Sequence, residues 1–172
     1  GSGISVGAHC CGRIIDVNNG LHGDGPMSPM RPGSLPVGQL IDLCYSGKYT
    51  RDELWDVITQ NGGMKAYLGT KDAKLIEQRV LEGDKEAALI YDAIAYQVAK
   101  EIGALATVLE GEIDGILITG GLAYSDYIIR EITRKVKFIA EVKVYPGERE
   151  MEGLYANAVM VLSGEAEIKE YV

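Results

Sequence analysis

Residues 114–121, DGILITGG, run apolar without interruption and stop at two glycines, and YSDYIIREITRKV (124–136) takes up helical spacing at once. A continuous apolar run reads as a strand buried on both faces, because alternation disappears when neither face meets water. VKVYP (142–146) reads as a second short strand and residues 150–163 as a helix, so the tail is β, α, β, α. Two parallel strands joined by a helix need a right-handed crossover and a covering layer, which commits this part of the chain to an α/β architecture.

The amino end uses a different pattern. ISVGAH (4–9) and RIIDVN (13–18) are β-branched runs separated by Cys10-Cys11-Gly12, the signature of an antiparallel hairpin with a glycine in its turn. Between hairpin and tail, the spacing predicts helices over 36–47, 50–63, 71–82 and 84–110; Thr50 with Glu53 forms a capping box, and Gly62-Gly63 is a stop. The long helix carries an apolar stripe at Ala88, Ile94, Ala95, Val98, Ile102, Leu105 and Ala106. The expected result is one domain, a mixed sheet with helices on both faces, in a chain of 172 residues that is long enough to bury a core.

Charge narrows the partners. Seventeen Lys and Arg against 25 Asp and Glu give a formal charge of -8, and no cationic cluster exists for a phosphate backbone, so nucleic acid is not an expected partner. No run is long and apolar enough for a membrane span, and no basic-then-apolar leader opens the sequence; the expectation is a cytoplasmic protein that binds no membrane. Three cysteines without a C-x-x-C pair argue against structural zinc and against a disulfide framework. Any anion bound here is held by local geometry.

Two places offer such geometry. ILITGGLAYS (116–125) carries a strand through Gly120-Gly121 into a helix, which presents backbone N–H groups at the edge of a sheet; two glycines also suffice for a plain tight turn. The opening Gly1-Ser2-Gly3 is another way to bare amides, or else an expression scar. Neither is a P-loop or a G-x-G-x-x-G motif. Residues 23–36, GDGPMSPMRPGSLP, set one cation, Arg31, among four prolines and three glycines, where neither helix nor strand can form.

The stretch from Gly1 through GAHCCGRIIDVNNGLHGDGPMSPMRPGSLPVGQLIDLC, with AYLGTKDAKLIE, ILITGGLAYSDYI and VYPGEREMEGLYANAVMVLSGE, resembles the C-terminal half of butyrate kinases, relatives of acetate kinase in the acetate and sugar kinase, hsp70 and actin superfamily. The resemblance covers essentially the whole chain. It implies a ribonuclease-H-like (actin-like ATPase) domain, the C-terminal nucleotide-binding and dimerisation domain of a two-domain carboxylate kinase. The implied reaction is phosphorylation of a short-chain carboxylate, butyrate, by ATP to give an acyl phosphate, and its ATP-forming reverse.

The same resemblance assigns roles. Gly1, Ser2 and Gly3 would embrace the nucleotide phosphates; Gly120, Gly121, Leu122 and Ala123 would hold the adenosine; Asp72, Ala73 and Lys74 would border adenine and ribose. Arg31 would stabilise charge on the phosphoryl group in flight, a task for which a fixed guanidinium suits an anionic acceptor and an anionic donor; the alternative is a surface arginine in a rigid turn. Asp16 and one acid among Glu148, Glu150 and Glu152 are the candidates for Mg²⁺, with a solvated strand residue and a charged helix start as the plain alternatives. His9 and His22 read as structural or exposed, and Trp55 and the methionines as packing. The carboxylate or acyl phosphate pocket would lie largely in the other half, so residues 1–172 alone are expected to be inactive. A nucleotide-binding or self-associating module without catalysis is the competing reading, and a homodimer is expected.

Overall fold

The structure, a computed structural model, describes residues 2–168. Strands β1 (Gly7–Cys10) and β2 (Arg13–Val17) form the expected antiparallel hairpin, with Cys11 and Gly12 in the turn at φ of 51° and 76°. Positive φ at both turn residues matches the twist of the flanking strands. Helices α1 (Val37–Cys44), α2 (Arg51–Thr59), α3 (Gly63–Leu68), α4 (Ala73–Leu81) and α5 (Lys85–Val108) follow. The chain closes with β3 (Ile116–Gly120), a 3₁₀ turn (Gly121–Tyr124), α6 (Asp126–Val136), β4 (Val142–Pro146) and α7 (Glu150–Leu162).

The caps follow the sequence. Thr50 and Glu53 close a capping box on α2, Asp84 accepts from the amides of Glu86 and Ala87 on α5, and Ser125 accepts from Ile128 N on α6. Helix α3 is an addition to the expected set, because six residues are too few to show a period. Helix α2 ends at Thr59 with Gln60 as its cap, short of the expected stop, and Gly62 instead caps the start of α3, whose Met64 and Lys65 amides donate to the carbonyls of Ser28 and Pro29 (3.1 and 3.0 Å).

Helix α5 is the axis of the core. Its Ala87, Ile90, Tyr91, Ile94, Ala95 and Val98 are buried against Ile128, Ile132 and Val136 of α6, Ile76 of α4, Met64 and Ile116. Each fully buried isoleucine contributes roughly 2 kcal/mol of transfer free energy. β1 rests on the same helix through the buried Ala8. Among the described residues, no helix is long and apolar enough to cross a membrane.

The sheet differs from expectation. Among the described residues β1 and β2 pair only with each other, and β3 pairs in parallel with β4 from Ile116↔Val142 to Gly120↔Pro146, so those residues hold two two-stranded sheets instead of one mixed sheet. The hairpin leans on α5 through β1 and the β3–β4 pair leans on α6 through β4, yet no backbone in residues 2–168 bridges β1 to β3. A cavity of about 1100 Å³ separates them. The expectation that 114–121 is buried on both faces fails for the same reason: Ile116 is buried, but Leu117 is 67% exposed. Cover is one-sided elsewhere too, since α1, α7 and β2 bury no residue.

Candidate functional site

The Gly/Pro loop brings Arg31 against the start of the chain. Ser28 is fully buried; its hydroxyl donates to Ser2 O (2.8 Å) and accepts from Arg31 N (3.2 Å). Met30 N donates to Ser2 O (3.1 Å), Gly62 N to Met30 O (2.9 Å) and Met27 N to the side chain of Gln97 (2.7 Å). The loop is therefore stiff through these bonds as well as through its prolines. Gly62 and Gly63 are required here, because a Cβ on either would run into the backbone of Pro32, Ser28 or Arg31.

The guanidinium of Arg31 donates from Nη1 to Gly20 O (3.1 Å), from Nη2 to Ser2 Oγ (3.2 Å) and from Nε to Thr59 O (3.4 Å). A guanidinium has five N–H donors, so one on each Nη has no hydrogen-bond partner among the described residues. No ion pair among those residues includes Arg31. It is a half-buried, oriented cation whose three hydrogen-bond acceptors are all neutral, a setting in which an anion gains both charge and hydrogen bonds.

Ser2 and Arg31 line a recess of about 490 Å³ with Leu21, Met30, Trp55, Thr59, Gln60 and Lys71. Gly3, next in the chain, lines the larger cavity, where Gly120, Gly121, Leu122, Ala123, Glu148 and Glu150 also lie. Two predicted groups of residues thus share one space, and Arg31 stands at its junction with a second. Gly1 lies outside the described residues.

The bend after β3 is tightly clasped. Gly120 has φ 87° and exchanges both backbone hydrogen bonds with Gly147 (3.0 and 3.1 Å), while Thr119 Oγ1 donates to Gly147 O. A Cβ at Gly120 or Gly121 would meet nothing within 4 Å, so the space above the bend is open. The amino end of α6 is not open, contrary to a simple strand-to-helix anion site. Glu77 Oε1 accepts from Ser125 Oγ (2.9 Å) and Tyr127 N (3.2 Å), and a carboxylate already occupies the positive end of that helix.

Other predicted residues stay apart. Asp72 accepts from Lys74 N and Leu75 N as the N-cap of α4, Ala73 O accepts from Tyr91 Oη, and Lys74 is exposed; none lines either cavity. Glu152 sits on the exposed α7 near Arg149, at 3.8 Å. Asp16 is exposed on β2 across from Ala8 and lines neither cavity. Its charge and that of Asp24 nevertheless reach Glu101 of α5, whose carboxyl is held above the ordinary range, first by burial and then by those two carboxylates. No three His, Cys, Asp or Glu side chains among the described residues gather closely enough to ligate a metal. Glu148 and Glu150 line the cavity that Gly120 and Gly121 also line, and Asp16 does not.

The acetokinase family model matches residues 1–165, nearly the whole chain. The chain belongs to the acetokinase family. Among solved structures it is similar to the acetate kinase of Porphyromonas gingivalis (TM-score 0.81, 21% identity, 92% of this chain and 46% of that one). It is also similar to an Entamoeba histolytica acetate kinase (0.79, 18%, 94% and 49%) and a Francisella tularensis subsp. tularensis SCHU S4 propionate kinase (0.74, 18%, 84% and 43%). This acetokinase-family chain therefore has the actin-like ATPase fold and spans under half the length of those relatives.

Three residues in or around these two recesses carry no motif. Asn18, buried, accepts from Val6 N (2.6 Å) and donates to Ile4 O and Asp24 O (both 3.2 Å), tying the approach to Gly3 to the start of the Arg31 loop. Trp55 is 44% exposed in the Arg31 recess, in a tilted ring contact with His22 and under Arg51, where sequence reading placed it in packing. Glu101 is the neighbour in sequence of Ile102, a residue of the α5 stripe. None of the three has a spacing that would have flagged it.

Proposed function

We propose that residues 1–172 are the C-terminal, nucleotide-binding and dimerisation domain of a two-domain carboxylate kinase that uses ATP to phosphorylate a short-chain acid, butyrate, and that runs in reverse to make ATP. Support comes chiefly from Arg31: an oriented guanidinium that has N–H donors to spare and no ion-pair partner among the described residues, packed on Gly3 where one cavity meets the other. Membership of the acetokinase family supplies the reaction class.

In this reading Gly120 to Ala123 hold the adenosine, and Ser2 and Gly3, with Gly1, face the phosphates. Asp72, Ala73 and Lys74 border the base and ribose, with the neighbouring Lys71 reaching the Arg31 recess. A carboxylate oxygen attacks the terminal phosphorus, the bond from that phosphorus to the ADP oxygen breaks, and the charge passing through the transferring group is met by the free N–H groups of Arg31. Mg²⁺, when bound, neutralises phosphate charge; Asp16 and Glu150 are the residues that would hold it through water, with Glu148 and Glu152 as neighbours. The acid-binding pocket belongs to the remainder of the relatives' length. The exposed apolar side chains of α7, Leu154, Tyr155 and Val159, are proposed as part of a homodimer contact.

Calorimetry of residues 1–172 with ADP and Mg²⁺, beside an acyl phosphate assay with butyrate, tests the reading. Micromolar ADP binding without turnover is expected. No heat with ADP leaves the competing reading, a self-associating module, in its place; normal butyrate turnover by residues 1–172 alone overturns the division of labour.

A further inference from the structure

The two segments read above as bordering the nucleoside, Asp72 to Lys74 and the bend Gly120 to Ala123, belong to different elements and share no cavity. Each is held by its own neighbours. Asp72 caps α4 by accepting from Lys74 N and Leu75 N, and Ala73 O accepts from the hydroxyl of Tyr91, a fully buried residue of α5. The bend is clasped to Gly147, and its Leu122 O accepts from Ser125 N (3.0 Å). Neither set of bonds runs from one segment to the other, yet a nucleoside between them depends on their spacing.

One side chain spans the two. Glu77 lies one turn beyond Ala73 on the same side of α4. Its Oε1 alone accepts from both Ser125 Oγ (2.9 Å) and Tyr127 N (3.2 Å). Among the described residues, every hydrogen bond between α4 and residues 120–136 ends on that oxygen. Ser125 is buried and its amide is bonded to Leu122 O, so the tie reaches the bend through a single residue.

A plain cap for α6 is already present locally. Ser125 Oγ accepts from Ile128 N (3.2 Å), and Asp126 places a carboxylate in the first turn. A capping acid ordinarily comes from within a few positions. Glu77 comes instead from 48 and 50 positions away, on the helix whose amino end carries Asp72 and Lys74. What it adds to the local cap is a fixed distance between two helices, through bonds to an ionised acceptor that are roughly twice as strong as neutral ones.

We infer that Glu77 is a positioning residue for the nucleotide: it sets the spacing between α4 and the bend, so that Asp72 to Lys74 and Gly120 to Ala123 reach the same base and ribose. The inference rests on the nucleotide reading proposed above. Glu77 lines neither cavity and acts through Ser125 and the first turn of α4. Its loss falls on nucleotide binding and not on phosphoryl transfer, because Arg31 is anchored by a separate set of bonds.

Steady-state ATP formation from ADP and butyryl phosphate, with acetyl phosphate alongside, tests this in the family-length enzyme that contains residues 1–172. Glu77→Ala is expected to raise KM for ADP about 10-fold while kcat and KM for the acyl phosphate each change by less than about 3-fold. Glu77→Gln keeps a carbonyl oxygen as acceptor and should bring KM for ADP back to within about 3-fold of wild type. Ser125→Ala should raise KM for ADP in the wild-type background and raise it much less in the Glu77→Ala background. An unchanged KM for ADP in Glu77→Ala, a loss confined to kcat, or a Glu77→Gln enzyme no better than Glu77→Ala overturns the inference and leaves the nucleotide reading standing. Should Glu77→Ala fail to fold, Ser125→Ala carries the same expectation, and an unchanged KM for ADP there overturns the inference. A wild-type enzyme that forms no ATP from either acyl phosphate overturns the nucleotide reading and this inference with it.

Discussion

A Cβ on residue 3 would overlap Nη1 of Arg31, so Gly3 is the surface on which the guanidinium rests. The relation links two segments 28 positions apart in the chain and couples the opening of the chain to the Gly/Pro loop.

Replacing Gly3 by alanine pushes against the far end of a flexible side chain, not against backbone. Gly3→Ala is expected to change stability by less than about 1 kcal/mol. In the family-length enzyme it should lower acyl phosphate formation about 10- to 100-fold by moving the cation. Arg31→Lys, which loses the fork but keeps the charge, should cost about 100-fold in turnover with ADP affinity changed much less. Hydroxamate-coupled rates and ADP calorimetry on both variants check this; an unimpaired rate in either removes Arg31 from the chemistry.

Asn18 holds three segments at once, and truncating it strands Val6 N and the carbonyls of Ile4 and Asp24. Asn18→Ala is expected to destabilise the protein by about 2–3 kcal/mol. Urea unfolding followed by circular dichroism measures it, and a loss under about 0.5 kcal/mol would mean the segments are held by something else.

The two glycines of the β3 bend should separate fold from binding. Gly120 is at φ 87° with its Cβ direction empty, so Gly120→Ala carries a backbone cost of about 1–3 kcal/mol. Gly121 has no positive φ and equally open space, so Gly121→Ala should leave the melting temperature in place while weakening ADP binding. Equal effects of the two substitutions on both readouts would contradict this assignment.

Two carboxyls should shape the pH dependence with opposite signs. Asp84 is held below its ordinary value of 3.8, first by the Ala87 amide and next by Arg79, so its stabilisation is present above that value and lost as pH falls through the lower folded value. Glu101 is held above its ordinary value of 4.5, so folding favours its protonated form and stability declines as pH rises through the range between the two. Denaturation midpoints against pH should show Asp84→Asn losing stability at neutral pH but not in strong acid. Glu101→Gln should gain stability at neutral pH, and the gain should vanish below about pH 4.

The elements that were legible in the sequence are those whose signal is local. The hairpin turn at Cys11-Gly12, the capping box at Thr50 and Glu53, the long stripe of α5 and the change of period at residue 114 each depend on neighbours within a few positions. Helix α3 escaped because its first turn is held by carbonyls from the Arg31 loop, some 35 residues earlier, and not by a pattern of its own. Asn18 and Glu101 escaped because a buried amide or a crowded carboxyl is created by what folds against it.

The residue types, the order of elements and the family motifs were determined by the sequence, since periodicity, capping and glycine placement act over one or two turns of chain. Tertiary structure alone decided that Gly3 packs on Arg31, that Glu77 closes the amino end of α6, and that β1 and β3 face each other across a gap without pairing. Those are contacts between distant segments, and their free energy comes from excluding water and matching backbone groups in space, which no local pattern of residues encodes.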